Sequence, residues 1–373
     1  MHKLEAKDYG RVRPLLDELM HDNISIESVL AGYNPGTVYV DDPAVPQVVL
    51  LIGPEGTCLA GESPSQVQMG ALKSLVTDLM FKQDMEVMWL VCTPTWVGRL
   101  PDILPRLPLQ QERQHYVCTK LSLDWRTQLP AGFAVHSITQ ALLDRPGLDI
   151  PDHVHGWMRG NWGSVDDFLA RGFGYVAEDV SANRVVSWSL CDCAGDDACE
   201  IGIRTHPDYR RRGLAAITVA AAVEHAFTQG YHAVGWHCNA ENLGSQRTAL
   251  RVGFVHERDY VNHFCFSNEA VHWAEAGRLQ EIRGDYRAAA DFYMRAARIT
   301  EQPDWGQYIP FYAACALARL GEYPAAWDWL RQAVEQGFDD DASLQASEAL
   351  APLKSSENWA ALLKSSEQKK TGD

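Results

Sequence analysis

The sequence contains no long hydrophobic run, whereas a membrane-spanning helix requires about 20 consecutive apolar residues. Its first residues also lack the apolar segment of a secretory signal peptide. Positive charge is scarce, since 33 lysines and arginines stand against 49 aspartates and glutamates, for a net charge of −16. Nucleic-acid binding needs clustered positive charge, and this balance agrees better with a cationic substrate. We therefore expect a cytoplasmic protein without membrane or nucleic-acid partners.

Regular cysteine spacing is also missing. Nine cysteines are scattered along the chain, an odd number that does not suit a disulfide framework. Cys191, Cys193 and Cys199 lie close together, but the second pair that would close a tetrahedral zinc site is absent from the sequence. We expect small buried thiols here and no metal.

With 373 residues, 46% of them hydrophobic, the chain is too long for one ordinary core. Residues 1–128 alternate predicted strands and helices, including a strand at residues 115–123, which is typical of an α/β or α+β region. A polar segment followed by Pro130-Ala131-Gly132 predicts a boundary. The pattern thus predicts three domains: residues 1–128, 129–267 and 268–373.

The middle region has a specific order of predicted elements. A first strand and a helix precede three strands joined by tight turns, as in an antiparallel meander. A helix ended by Gly230, a strand, a second helix ended by Gly253 and a closing hairpin follow. The predicted strands are residues 133–138, 174–177, 184–193, 198–205 and 232–238, the helices are 165–171, 214–228 and 244–251, and the hairpin is 254–266.

A basic segment with a glycine joins a predicted strand to a predicted helix at residues 200–216. Such a junction presents unpaired backbone N–H groups and the positive end of a helix dipole, which together bind anions. Gly213 lets a ligand approach the backbone, and Arg210, Arg211 and Arg212 add positive charge. A pyrophosphate fits this junction, because linked phosphates can engage several amides along one turn.

Residues 210–215 resemble the pyrophosphate loop of the GNAT N-acetyltransferases, which reads Gln or Arg, two residues, Gly, one residue, then Gly or Ala. Arg210, Gly213 and Ala215 match that pattern. The order of the surrounding elements is also similar to the family. The resemblance implies an α+β GNAT acyl-CoA N-acyltransferase fold for residues 129–267, with acetyl-CoA as co-substrate. The first region is either an independent domain or a degenerate copy of this fold, and it lacks an Arg-rich glycine loop.

The resemblance also implies which residues bind acetyl-CoA. Backbone groups of Ile203, Arg204 and Thr205 would pair with the pantetheine amides like an added strand. Asn242 stands where many family members contact the pantetheine arm, although it could equally be the N-cap of the following helix. The pyrophosphate would be held by the amides of Arg211, Arg212, Gly213, Leu214, Ala215 and Ala216.

Direct acetyl transfer to an amine needs a base, donors for the thioester oxyanion and an acid for the departing thiolate. Glu200 lies on the strand leading to the loop, where family members often place a base that acts through water. Many members carry a tyrosine that acts as the general acid four residues before the closing Gly-Phe, but Ala249 stands there in this sequence. The acid is therefore unassigned, and the candidates are Tyr260, His237 and His263.

The acceptor amine is not readable from the sequence, and a small molecule, an antibiotic or a peptide all remain open. An aromatic-rich segment at residues 153–168 lies where GNAT proteins usually build the acceptor side. Its Trp157, Asn161 and Trp162 would either line that side, since aromatic faces attract ammonium groups, or pack a helix.

The flanking regions carry two further resemblances. Residues 36–43 look similar to the N-terminal half of bacterial GNAT proteins of the zwittermicin-resistance type. The Ala-rich tail resembles tetratricopeptide repeats, since Gly284-Asp285-Tyr286 is echoed by Gly321-Glu322-Tyr323. Such repeats would either bind a protein partner or extend the fold. The alternative to an enzyme is a non-catalytic acyl-CoA-binding scaffold or sensor whose repeats bind a partner.

Overall fold

A computed structural model describes residues 1–21, 23–62 and 64–370, so residues 371–373 of the predicted helical domain lie outside the described residues. The chain divides into two compact units. One comprises residues 1–77 and 88–264, and the other comprises residues 78–87 and the chain from Cys265 onward. Within the described residues, no helix has both the length and the apolarity that crossing a membrane requires.

The first half of the large unit begins with a short strand and a 3₁₀ turn, Ala6–Val12. Its strands are β1 (His2–Lys3), β2 (Thr37–Val40), β3 (Val48–Gly53), β4 (Gly56–Gly61), β5 (Val87–Cys92) and β6 (Leu109–Cys118). Its helices are α1 (Arg13–Met20), α2 (Ile24–Ala31), α3 (Gln66–Lys82), α4 (Pro94–Val97) and α5 (Leu100–Ile103).

A short helix, α6 (Trp125–Gln128), leads into the second half. Its strands are β7 (Phe133–Ser137), β8 (Gly174–Asp179), β9 (Arg184–Ala194), β10 (Ala198–Thr205), β11 (Ala233–Asn239) and β12 (Val255–Phe266). Its helices are α7 (Gln140–Leu143), α8 (Asp152–Trp162), α9 (Val165–Arg171), α10 (Leu214–Thr228) and α11 (Leu243–Val252). The predicted boundary near residue 128 thus separates two halves that share one sheet.

The two halves repeat one order of elements: a strand, a helical pair, three strands, a long helix, a strand, a helical segment and a last strand. This repetition favours a degenerate second copy of the fold over an independent N-terminal domain. Helix α10 corresponds to α3, and β10 corresponds to β4. In both copies the strand before the long helix pairs in parallel with the strand after it, β4 with β5 and β10 with β11.

The last strands of the two halves have exchanged places in the 12-stranded sheet. Its order is β1-β2-β3-β4-β5-β12-β6-β11-β10-β9-β8-β7. Strand β6 of the first half therefore lies between β12 and β11 of the second half, antiparallel to both. Strand β12 lies between β5 and β6. Each half thus completes the sheet of the other.

Small side chains explain how α10 lies close on the sheet. Ala216, Ala220 and Ala222 are fully or almost fully buried beneath it. Bulkier residues fill the space around α8 and α9, where Trp162 and Phe168 are 1% and 0% exposed. This core fixes the position of β10 and of the loop that precedes α10.

The C-terminal region is helical. It contains α12 (Glu269–Ile282), α13 (Tyr286–Ala296), α14 (Tyr308–Arg319), α15 (Tyr323–Glu335), α16 (Asp341–Ala346), a 3₁₀ turn (Ala351–Leu353) and α17 (Glu357–Lys370). Helices α12 to α15 pack in succession. Gly284 and Gly321 have φ values of +79° and +76° and separate the helices of each pair, as their echo in the sequence predicts.

Two sequence-based assignments of strands are wrong. Residues 254–266 do not form a hairpin, because β12 is a single strand that continues through a bulge between His256 and Arg258. Strand β6 begins at Leu109, whereas the sequence predicts a strand only from His115. The missed residues are polar, yet they occupy the centre of the sheet.

Candidate active site

A groove of about 650 Å³ opens at the N-terminus of α10 and runs to α11. Gly213 caps α10 with a φ of +83°, a left-handed conformation that favours glycine. Arg211 also has a positive φ, 62°, which is uncommon outside glycine and is typical of functional loops. The loop therefore turns its backbone toward the groove at the positive end of the helix dipole.

The arginine groove, as we call it, is lined by Arg204, Arg210, Arg211, Arg247 and Arg251. Among the described residues, no ion pair involves any of these five side chains. Five arginines without acidic partners, in a chain of net charge −16, make a site for a polyanion. The pyrophosphate and ribose phosphate of a coenzyme A ester fit this donor set.

Most of the residues predicted to bind the cofactor meet here. The arginine groove is lined by Ile203, Arg204, Thr205, Arg210, Arg211, Gly213, Leu214, Ala215, Ala216 and Asn242. Arg212 lies outside it, because its guanidinium stacks over the Tyr209 ring at 4.9 Å and donates to the carbonyl of Asp208 at 3.1 Å. Asn242 also caps α11 by accepting from the amide of Ser245, so both of its predicted roles are compatible.

The opposite wall of the groove was missed by sequence reasoning. Helix α11 contributes Ser245, Arg247, Thr248 and Arg251. Arg247 and Arg251 are four residues apart, a spacing that places two side chains on one face of a helix. That spacing was the available signal.

Glu200 lies where β10 and β11 part. Within the described chain, the ladder between these strands ends at the pair Glu200–Gly235. A bulge between Glu200 and Ile201 in the pairing with β9 turns the strand at this point. Since a strand rises about 3.3 Å per residue, Glu200 lies about 10 Å from the groove-lining Ile203.

Glu200, His237 and Tyr260 form a hydrogen-bonded chain. Glu200 is 3% exposed, and its Oε1 lies 3.0 Å from Nε2 of His237. The other ring nitrogen of His237, Nδ1, lies 3.1 Å from the Tyr260 hydroxyl. The structure therefore brings together the predicted base and two of the three predicted acid candidates. His263 is elsewhere, with its Nε2 3.3 Å from Gln110.

His115 of β6 joins this chain from the first half of the molecule. Its ring stacks on His237 with 4.4 Å between centroids and 19° between planes. Its Nδ1 lies 2.8 Å from the carboxylate of Glu257, a residue at 43% exposure. His115 thus lies between His237 and the surface carboxylate of Glu257, and nothing in the spacing of the sequence indicated it.

Ligand atoms of His115, Glu200 and His237 lie within 4.8 Å of one another, close enough to raise the question of a metal. Imidazole coordinates through an in-plane lone pair at about 2.0–2.1 Å. The two rings are nearly parallel and stacked, so their lone pairs do not converge on one point. This arrangement does not suit coordination of one ion by both rings.

The charges of this cluster set different protonation states for its acids. Burial acts to raise the pKa of Glu200, but the charge and hydrogen bond of His237 and the charge of His115 hold it below its ordinary value. The amide of Ile24, at the start of α2, adds a further hydrogen bond. Glu200 is therefore ionised at neutral pH, as a base must be.

Asp192 behaves in the opposite way. Burial, and then the negative charge of Glu55, raise the pKa of Asp192 well above its ordinary value. Its Oδ1 accepts from Trp157 Nε1 at 2.5 Å and from Asn161 Nδ2 at 2.8 Å. Trp157 and Asn161, two members of the predicted acceptor segment, thus both donate hydrogen bonds to Asp192. The third, Trp162, is buried and donates to the carbonyl of Cys191 instead.

Ala249 is fully buried in the core beneath α11. A tyrosine there would project into that core and away from the groove, which explains why this chain cannot use the position for an acid. Tyr260 is the tyrosine that reaches Glu200, through His237.

A family model described as GNAT acetyltransferase matches residues 13–262, about two thirds of the chain. The chain belongs to this family. The match spans both halves of the sheet, so the GNAT family model covers the first half as well as the second half, which contains the loop. No curated protein matches the chain.

Solved structures with the GNAT fold are similar to this chain. A GCN5-related N-acetyltransferase-like protein from Streptococcus suis is 22% identical, and the match covers 70% of this chain and 99% of that one with a TM-score of 0.52. A GCN5-related N-acetyltransferase from Sphaerobacter thermophilus is 14% identical, over 71% and 94% of the two chains, with a TM-score of 0.46. A tandem GNAT protein from the clavulanic acid biosynthesis pathway is 9% identical, over 72% and 98%, with a TM-score of 0.46.

GNAT acetyltransferases generally use acetyl-CoA, which carries a pyrophosphate. The cysteines near the site are buried side chains of the second half: Cys191, Cys193 and Cys199 are at most 1% exposed. Burial raises the pKa of both Cys191 and Cys193, so neither thiol is a nucleophile at neutral pH.

Proposed function

We propose that this protein is an N-acetyltransferase that transfers the acetyl group of acetyl-CoA directly to a primary amine of a small molecule, an antibiotic or a peptide. The observation that carries this proposal is the arginine groove, which is lined by five arginines and by the end of β10, the strand that also carries the ionised, buried Glu200. A non-catalytic scaffold would have no use for a buried base chain at the end of a coenzyme groove.

Glu200 is the base. The acceptor arrives as an ammonium ion and must lose a proton before its nitrogen can attack the thioester carbon. In the form of His237 that is neutral and carries its hydrogen on Nε2, a proton taken up at the Tyr260 oxygen moves the Tyr260 hydrogen to His237 Nδ1 and the Nε2 hydrogen to Glu200. The C–N bond then forms, the C–S bond breaks, and the second amine proton neutralises the thiolate.

Acetyl-CoA binding is tested by calorimetric titration of the wild type and of Gly213→Glu, which places a carboxylate against the diphosphate. Gly213→Asn is the matched control, because asparagine tolerates the left-handed backbone of this position without adding charge. We expect micromolar binding in the wild type, at least about a tenfold loss in Gly213→Glu, equivalent to about 1.4 kcal/mol, and a small change in Gly213→Asn. No binding by the wild type would overturn the proposal.

The helical region supports a second role, recruitment of a peptide partner. A groove of about 540 Å³ lies between α15 and α17, lined by Trp327, Arg331 and Leu362 among others. We propose that tetratricopeptide-like pairs present this groove. A variant that lacks the chain from residue 268 onward tests this second role. The variant should still bind acetyl-CoA but should no longer bind the peptide partner.

Membership of the zwittermicin-resistance type stays a prediction about the acceptor. Activity measured with a panel of antibiotics as acceptors tests it.

A further inference from the structure

A small cavity of about 20 Å³ adjoins the base chain on the side of the first half. His237 and Tyr260 form one wall. The volume suits one water-sized group, such as an ammonium. The cavity is separate from the arginine groove, and the polar groups around it define what it binds.

Three groups with acceptor oxygens line this cavity. Asn262 is 3% exposed, and among the described residues its buried Oδ1 has no hydrogen-bond partner. The buried Oδ1 of Asn23 is likewise unpaired there, while its Nδ2 contacts Cys58 Sγ at 3.7 Å. Glu55, half-buried in the turn between β3 and β4, adds a carboxylate. Three acceptors around a water-sized space call for a ligand with several N–H donors and a positive charge.

A cationic donor faces the same cavity. Arg113 of β6 lines it, and within the described part of the chain its buried Nε has no hydrogen-bond partner. Its guanidinium lies 6.0 Å from the centroid of the Tyr260 ring. Arg258 also lines the cavity and adds positive charge there. Guanidinium groups select planar anions such as carboxylates.

We infer that the acceptor is an α-amino acid or a closely similar amine, whose ammonium binds to Glu55, Asn23 and Asn262 and whose carboxylate binds to Arg113. The two opposite charges of such a ligand match the acceptor groups and the arginines that line the cavity. Because the cavity has room for one group of ammonium size, the carboxylate and the side chain extend beyond it, with the carboxylate against the guanidinium of Arg113. The inference rests on the proposed function, because it places the reacting nitrogen beside Tyr260 and the proton chain to Glu200.

The test compares amino acids with their decarboxylated counterparts, using release of the coenzyme A thiol as the readout. Suitable pairs are lysine with cadaverine, tyrosine with tyramine, tryptophan with tryptamine and serine with ethanolamine, drawn from a panel of all standard amino acids. We expect at least one amino acid to exceed its partner in kcat/KM by about tenfold or more, the size of one charge-assisted hydrogen bond.

Variants test the arginine and the acceptor groups of the cavity separately. Arg113→Gln should lower kcat/KM for the preferred amino acid by about tenfold or more and change the amine less than about threefold. Asn262→Leu and Glu55→Gln should raise KM for both members of a pair, because both carry the ammonium. Arg99→Gln, an exposed arginine outside the site, is the matched control. The acetyl-CoA Kd of each variant reports whether it is folded.

The outcomes distinguish this inference from the proposed function. If acetyl-CoA does not bind, the proposed function fails and the inference with it. If acetyl-CoA binds and amines without a carboxylate react as well as or better than amino acids, or if neither class reacts, the inference alone is overturned. Equal losses for both members of a pair in a folded Arg113→Gln also overturn it.

Discussion

His115 and His237 stack ring on ring, 4.4 Å apart, although one comes from the last strand of the first half and the other from β11 of the second. His237 leads to the buried Glu200, and His115 leads to Glu257 at the surface. The contact therefore places a second imidazole beside the buried base, where the charge of His115 lowers the pKa of Glu200.

Glu257→Gln removes the carboxylate that lies 2.8 Å from Nδ1 of His115 and stabilises a positive charge on that ring. Because the charge of His115 helps to hold the pKa of Glu200 below its ordinary value, we expect the acid limb of the pH–rate profile to move to higher pH, with the acetyl-CoA Kd at neutral pH unchanged. Steady-state kinetics at acidic to neutral pH measure the shift. Glu112→Gln, another exposed carboxylate on the central strands, is the control. An acid limb that stays in place in Glu257→Gln would contradict this role of His115.

Glu200→Gln removes the base and should lower kcat by about 10²- to 10⁴-fold while acetyl-CoA still binds. Because the pKa of Glu200 lies below its ordinary value, this carboxylate stays ionised across the neutral range. The wild-type rate should therefore keep rising with pH as the acceptor amine deprotonates, without an inflection from Glu200 near neutrality. Steady-state kinetics from pH 5 to 9 measure both effects, and a Glu200→Gln enzyme as fast as the wild type would assign the base elsewhere.

Asp192 makes stability depend on pH. Burial and the charge of Glu55 raise its pKa in the folded protein, so the native state binds more protons than the unfolded chain and stability falls as pH rises above the ordinary value of 3.8. Asp192→Asn keeps an oxygen for Trp157 and Asn161 and removes this dependence. Its Tm relative to the wild type should increase between pH 4 and pH 8, corresponding to about 1 kcal/mol or more. A constant Tm difference would contradict the raised pKa.

Two glycines in helices should respond to alanine with opposite signs. A Cβ on Gly277 of α12 would lie 2.8 Å from ring carbons of Tyr293, so Gly277→Ala should cost about 1–3 kcal/mol. A Cβ on Gly70 of α3 would meet no heavy atom of another part of the chain within 4 Å, so Gly70→Ala should gain about 0.5–1 kcal/mol. Thermal unfolding of both variants checks the pair, and a stabilised Gly277→Ala would show that the close helix contact is absent.

The loop and its neighbours were predictable from the sequence because they are local. Arg210, Gly213 and the strand and helix around them lie within one short segment, and turn residues mark the meander before it. The position of the loop also predicted that residues 203–205, at the end of the preceding strand, line the groove. Local propensity, glycine position and charge all agree in this segment, which is the condition under which sequence reasoning succeeds.

The remainder of the site depends on strand exchange, which no local pattern reveals. Residues 110–114 are polar, with Arg113 lining the cavity of the site, and that polarity concealed a central strand. The charged residues near Arg258 similarly suggested a turn where β12 only bulges. His115 and Glu55 reach Glu200 from the first half, far away in sequence. Functional polar side chains thus replaced the apolar pattern at the point where the halves meet.

Exchange of the last strands also constrains how the chain acquires its structure during synthesis. Strand β5 waits for β12, which leaves the ribosome after every other strand of the sheet, while β6 emerges early and has neither of its neighbours until β11 appears. Until β11 appears, the nascent first half therefore exposes three unpaired strand edges, one of β5 and both of β6. The polar residues 110–114 lie on β6, and polar and charged side chains on an unpaired strand disfavour its pairing with other chains, so Arg113 serves the nascent chain before it serves the site.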